Sequence, residues 1–122
     1  MIVDERFGTY MNSLDPGHSP FLEQLEQEAK EAYVPIIRRQ MQSFLRMFLT
    51  LQKPQKVLEV GTAIGFSSIL MCEYLPKTSR ITTIENYKKR IPAARENFEK
   101  SGYSDRITLL EGDAADILPT LT

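Results

Sequence analysis

Three acids and two glycines carry the chemistry legible in this sequence of 122 residues. Glu59 leads the stretch VLEVGTAIGFSS (residues 57–68), where Gly61 and Gly65 flank three small or apolar residues. Glu85 follows in RITTIE and Asp113 in LLEGDA. Glycines at a strand-to-helix turn let the backbone bend tightly and approach a ligand, and the next helix offers its free N–H groups. The dinucleotide fingerprint G-x-G-x-x-G is broken by Glu59 and Ala63, and a phosphate loop would need lysine after Gly65, where Phe66 stands. An acid ahead of the first glycine is a poor neighbour for a pyrophosphate and a good one for a cationic ligand.

S-adenosylmethionine, with its ammonium and sulfonium, is such a ligand. Glu85 falls about twenty residues beyond the loop, at the end of a second strand, where an acid can accept both ribose hydroxyl hydrogens. Asp113 follows a third strand at the same sheet edge, where its side chain and the Ala114 backbone can read an adenine edge. A turn that holds no ligand is the alternative for the loop alone. A nicotinamide-dependent dehydrogenase is a further one, opposed by the missing fingerprint glycines.

The elements that must position these residues form an alternating α/β chain. KVLEV reads as a short buried strand, FSSILMCEYL as a helix packing through Ile69, Leu70 and Cys72, and RITTIE as a second strand. KKRIPAARENFEKSG reads as a helix closed by Gly102, RITLLEG as a third strand, and DAADILPTLT opens another helix. Such alternation predicts parallel strands joined by right-handed crossovers. In a 3-2-1 order the first strand stands at an exposed edge, so the chain is expected to be a fragment or to have that edge covered by a partner. Ahead of the strands, a helix starts at Ser19 and Pro20 and ends near Tyr33, because Pro35 disfavours helical geometry at Val34. A second spans PIIRRQMQSFLRMFLTLQ, with Ile37, Met41, Phe44, Leu45 and Phe48 as its apolar stripe and Arg38, Arg39, Gln42 and Arg46 mostly opposite.

In this order and spacing, PIIRRQMQSFL, VLEVGTAIGFSS, ITTIEN and LLEGDA resemble the catechol O-methyltransferase-like family of class I methyltransferases. The nearest likeness is to its bacterial branch, which includes the transfer-RNA 5-hydroxyuridine methyltransferases. The resemblance implies the N-terminal part of a Rossmann-like doubly wound fold, with a helical segment at 1–53 and half of the cofactor domain at 54–122. It implies Glu59 and Gly61 beside the methionine part of S-adenosylmethionine, Gly65 in the loop and Ser67 at the cofactor carboxylate. Glu85 would take the ribose, Asp113 and Ala114 the adenine, and Met41 would close over the cofactor; by periodicity alone Met41 reads as core. The activity implied is methylation of a hydroxyl, 5-hydroxyuridine in transfer RNA or a catechol-like small molecule, aided by a divalent metal such as Mg2+ acting as a Lewis acid. The family's metal ligands would lie after the fourth and fifth strands, so this chain holds no catalytic or metal residue of that pattern. An inactive cofactor-binding fragment is therefore the other reading. A homodimer through N-terminal elements is also implied.

Composition agrees with an ordinary globular protein. Charged residues make up 25% and the net charge is -1, so no global charge draws it to nucleic acid or membrane. Tyr87 to Arg90, with Arg38, Arg39, Arg46 and Arg95, is a basic grouping able to attract a transfer-RNA backbone, if it is not simply a solvated helix face. Cys72 is the single cysteine, which fits a reducing, cytoplasmic setting, and no segment reads as a signal peptide or membrane span. His18, the single histidine, reads as a turn or surface residue.

Overall fold

A computed structural model describes residues 4–121. Three parallel strands, β1 (Lys56–Val60), β2 (Arg80–Glu85) and β3 (Ile107–Glu111), form one sheet with β2 in the middle. β1 therefore lies at an edge, as the 3-2-1 order requires. The crossovers are α4 (Phe66–Tyr74) and α5 (Ile91–Ser101); α1 (Glu5–Ser13), α2 (Pro20–Glu31) and α3 (Arg39–Gln52) precede the sheet, and a short α6 (Ala114–Ile117) follows it. This is the expected Rossmann-like arrangement of strands and flanking helices.

Local chemistry accounts for most boundaries. The Ser19 hydroxyl caps α2 by accepting the Leu22 N–H, with Pro20 at the first helical position. Gly102 closes α5 at φ +81°. α5 opens at Ile91 rather than at the preceding lysines because Pro92 sits in its first turn. α2 and α3 pack on α4, α4 on β2 and α5 on β3. Leu22, Leu25, Phe66, Ile69, Leu70, Cys72, Ile81 and Phe98 join these elements in one core.

Three expectations need correction. A further helix, α1, precedes the two expected; Asp4 caps it through the Arg6 N–H at 2.7 Å. It buries no residue, so it leaves no strong apolar stripe in the sequence. β1 is not buried on both faces. The register aligns Leu58 with Thr82 and Thr108 on the face away from Val57, Ile81 and Ile107, and Leu58 and Val60 are 50% and 59% exposed. The expected apolar stripe is split: Ile37 and Leu45 pack against the core, Met41, Phe44 and Phe48 are exposed, and Gln42 is wholly buried. α3 itself begins at Arg39, because Pro35 to Arg38 runs as a strap ahead of it.

Candidate functional site

The loop between β1 and α4 is built on left-handed backbone. Gly61, Ala63 and Gly65 all have positive φ, at +94°, +50° and +91°. The Gly61 N–H donates to the Ile84 carbonyl at 2.8 Å, tying the loop to the end of β2. A Cβ on Gly61 would meet nothing within 4 Å, whereas one on Gly65 would stand 2.6 Å from a Phe98 ring carbon. Gly61 thus leaves space beside the loop, and Gly65 lets α5 pack under it.

Glu85 and Glu59 are each held by several hydrogen bonds around this loop. Glu85 is 8% exposed; its Oε1 accepts the Ala63 N–H at 2.7 Å, and its Oε2 accepts those of Asn86 at 3.0 Å and Tyr87 at 2.9 Å. Glu59 accepts three hydroxyls, Ser67 at 2.6 Å on Oε2, and Ser68 and Thr83 at 2.7 Å on Oε1. Thr83 donates there, so Thr62 must be the donor in the 2.6 Å Thr62–Thr83 pair. A carboxylate at the start of α4 also faces the positive end of the helix dipole.

Two clefts open on either side of Gly61. One, of about 140 Å³, is lined by Gly61, Glu85, Asn86, Gly112, Asp113 and Ala114. The other, of about 210 Å³, lies between the strap residues Pro35, Ile36 and Ile37 and the loop residues Gly61, Ala63 and Ser67. Glu85, Asp113 and Ala114 therefore share one cleft, Ser67 lines the other, and Gly61 lines both. Asp113 also caps α6, accepting the Ala115 N–H at 2.8 Å. Glu59 lies behind Ser67, and Gly65 is buried under the loop. Met41 is apart from them: it is 51% exposed on α3 and lines neither cleft, so it is not the core residue its periodicity suggests. A larger hollow, about 510 Å³ between α1 and the residues around Arg38, contains none of the expected site residues.

Sequence reading missed the strap as a wall and missed the buried polar residues behind it. The fully buried Gln42 side chain gives one N–H to Glu26 Oε2 and the other to the Ile37 carbonyl, both at 2.8 Å. Its carbonyl oxygen is left to accept from His18 Nε2 at 2.9 Å, and His18 Nδ1 is hydrogen-bonded to the Tyr74 hydroxyl at 2.8 Å. His18, in the segment ahead of α2 and partly buried, thus ties α3 to α4 through its ring. Burial pushes the Glu26 carboxyl up, but hydrogen bonds from Gln42 and Arg39 and the charges of Arg39 and Lys30 outweigh it and leave the group lowered.

The basic grouping is smaller than its sequence suggests. Arg39 is committed to Asp15, Glu23 and Glu26, Arg95 pairs with Glu111 at 2.8 Å, and Arg46 lies 5.0 Å over the Tyr74 ring. Lys88 and Lys89 are exposed beside the Glu85 turn. Among the described residues, no helix is long and apolar enough to cross a membrane.

Comparison with known proteins gives the same picture. A family model described as O-methyltransferase matches residues 11–122. A catechol O-methyltransferase of Mycobacterium tuberculosis is 31% identical over 114 residues, covering 92% of this chain and 52% of the relative. An O-methyltransferase structure from Bacillus cereus in complex with SAH (S-adenosylhomocysteine) superposes with a TM-score of 0.80 at 27% identity, over 93% of this chain and 52% of that one. An SAH-bound methyltransferase of Podospora anserina gives 0.86 at 30% identity, over 97% and 52%. The chain spans about half the length of these relatives. It belongs to the O-methyltransferase family, the catechol O-methyltransferase-like family of class I methyltransferases.

Proposed function

We propose that this chain binds S-adenosylmethionine across its two clefts and is part of an enzyme that transfers the cofactor's methyl group to a hydroxyl oxygen. The carrying observation is the pair of clefts meeting at Gly61, with the Glu85 carboxylate fixed in one and the Ser67 hydroxyl in the other. The donor set fits the cofactor. Glu85 would accept from the ribose, and Asp113 and the Ala114 backbone would face the adenine. Ser67 would meet the methionine carboxylate, with Gly61 giving room between the two ends. Glu59 would place negative charge near the cationic end while holding Ser67 in position. Bound there, the cofactor supplies an activated methyl group. Met41, exposed and outside both clefts, would have to move to close over it.

Mg2+, implied by the family resemblance, finds no fit here: among the described residues no group of three His, Cys, Asp or Glu side chains could hold a metal ion. For the acceptor, a catechol-like diol is favoured by the name of the Mycobacterium relative. Hydroxyuridine in transfer RNA is the second reading, and exposed Lys88 and Lys89 beside the Glu85 cleft support it. A homodimer belongs to the same proposal, because α3 exposes Met41, Phe44, Met47, Phe48 and Leu51 on a face that includes the stacked pair Phe44 and Phe48. So does a cytoplasmic setting, suggested by the single buried cysteine.

Calorimetric titration with S-adenosylhomocysteine tests the binding; no saturable heat would refute it. Methyl transfer from labelled cofactor to a catechol, or to transfer RNA carrying 5-hydroxyuridine, separates the acceptors. Light scattering on the wild type and on Phe44→Glu tests the dimer, which should dissociate in the variant.

A further inference from the structure

The loop side of the larger loop cleft is fixed by hydrogen bonds to β2, but its opposite wall is a strap of irregular backbone, residues 34–38, between α2 and α3. Few bonds hold that strap. At its start the Val34 N–H donates to the Ala29 carbonyl at 2.8 Å. At its end Arg38 is the N-cap of α3 and makes no side-chain capping bond. The Ile37 carbonyl is held instead from within, by the Gln42 amide at 2.8 Å. That amide is oriented in turn by Glu26 of α2 and by His18, which is bonded to Tyr74 of α4. A fully buried amide with both N–H groups and its oxygen engaged has one available orientation.

We propose that Gln42 is a positioning residue for the cofactor cleft, setting the separation of the Pro35–Ile37 wall from Gly61 and Ser67 by pinning the Ile37 carbonyl to the α2–His18–α4 junction. Gln42 does not line the cleft and touches no ligand; it acts through the strap. This rests on the reading that the cleft takes the methionine end of the cofactor. His18 supports the same arrangement one step further out, by fixing which end of the Gln42 amide faces Ile37.

The test compares S-adenosylhomocysteine affinity and thermal stability in the wild type, Gln42→Met, His18→Leu and Ile107→Ala. Gln42→Met keeps the length of the side chain and removes its polar atoms. Ile107→Ala is a core truncation at the opposite end of β3 from the site. The affinity should fall about tenfold in Gln42→Met and about threefold in His18→Leu, for one or two lost orienting bonds. It should stay within about twofold in Ile107→Ala, even where that variant loses as much stability. Hydrogen exchange without ligand should quicken in both variants at the backbone N–H of residue 42, which in the wild type donates to the Arg38 carbonyl at 2.9 Å. Wild-type binding with unchanged affinity in Gln42→Met and His18→Leu would overturn the inference and leave the cofactor reading intact. Absence of binding by the wild type would defeat that reading itself. If Gln42→Met does not fold, His18→Leu decides, because its site is only partly buried.

Discussion

Gly61 and Gly65 look alike in the sequence and should fail differently. Both have φ near +90°, so an alanine at either position carries the left-handed strain of roughly 1–2 kcal/mol. Only at Gly65 does the added methyl meet the core, 2.6 Å from the Phe98 ring. Phe98 is buried and cannot retreat freely, so overpacking adds roughly 1–3 kcal/mol. Gly65→Ala should therefore lose about 2–5 kcal/mol of stability and Gly61→Ala about 1–2 kcal/mol. Binding should order them the other way. Gly61 lines both clefts, so its methyl occupies ligand space and S-adenosylhomocysteine affinity should fall at least about tenfold. Chemical denaturation gives the first quantity and calorimetry the second. Phe98→Leu in the Gly65→Ala background should recover part of the loss, because it removes the ring that the methyl strikes. Equal destabilisation by the two glycine variants, or strict additivity with Phe98→Leu, would refute the packing assignment.

Three other outcomes follow from the same geometry. Glu85→Gln removes an anionic acceptor from three backbone N–H groups, and should lower both unfolding free energy, by about 1–3 kcal/mol, and cofactor affinity. An unchanged denaturation midpoint would sink the structural half of that statement. Glu26 has a folded pKa below its ordinary value, so its contribution is complete above the usual carboxylate range and is lost as pH falls through the depressed value. Stability measured from pH 7 down to about 3 should show that loss in the wild type and a flatter acid limb in Glu26→Gln. Burial pushes the Cys72 thiol up to about 11, against a smaller lowering by Arg106. At pH 8 only about 0.1% is thiolate, so iodoacetamide should label the folded protein far more slowly than the unfolded one. Rapid stoichiometric labelling of the native protein would contradict the burial.

Elements whose signals are local were legible. Ser19 and Pro20 mark the start of α2, Gly102 the end of α5, and the apolar runs the three strands. α3 shows where local signals stop. Its periodicity identifies an apolar face, but which face meets the core depends on what packs there. Gln42 is buried because Glu26 and His18, 16 and 24 residues away, meet its amide. Arg106 is similar: it is buried with its guanidinium donating to the Cys72, Pro76 and Ser79 carbonyls, a set assembled only when β3 passes the end of α4. Apart from Ile37, which Gln42 meets five residues away, these hydrogen-bond partners lie outside any short window of sequence around either residue.

The site divides along the same line. Spacing along the chain identified acids at the ends of successive strands, yet the number of acceptor positions each keeps for a ligand depends on the folded loop. A carboxylate offers about four such positions. Glu85 spends three on Ala63, Asn86 and Tyr87, and Glu59 spends three on Ser67, Ser68 and Thr83. In the proposed complex, a ribose diol at Glu85 would find Oε2 filled and one position open on Oε1. The second hydroxyl must share that oxygen or displace a backbone N–H, and displacing the Ala63 N–H would disturb the loop that borders both clefts. Recognition by one fixed oxygen would keep the loop intact, because the backbone N–H groups already orient the carboxylate.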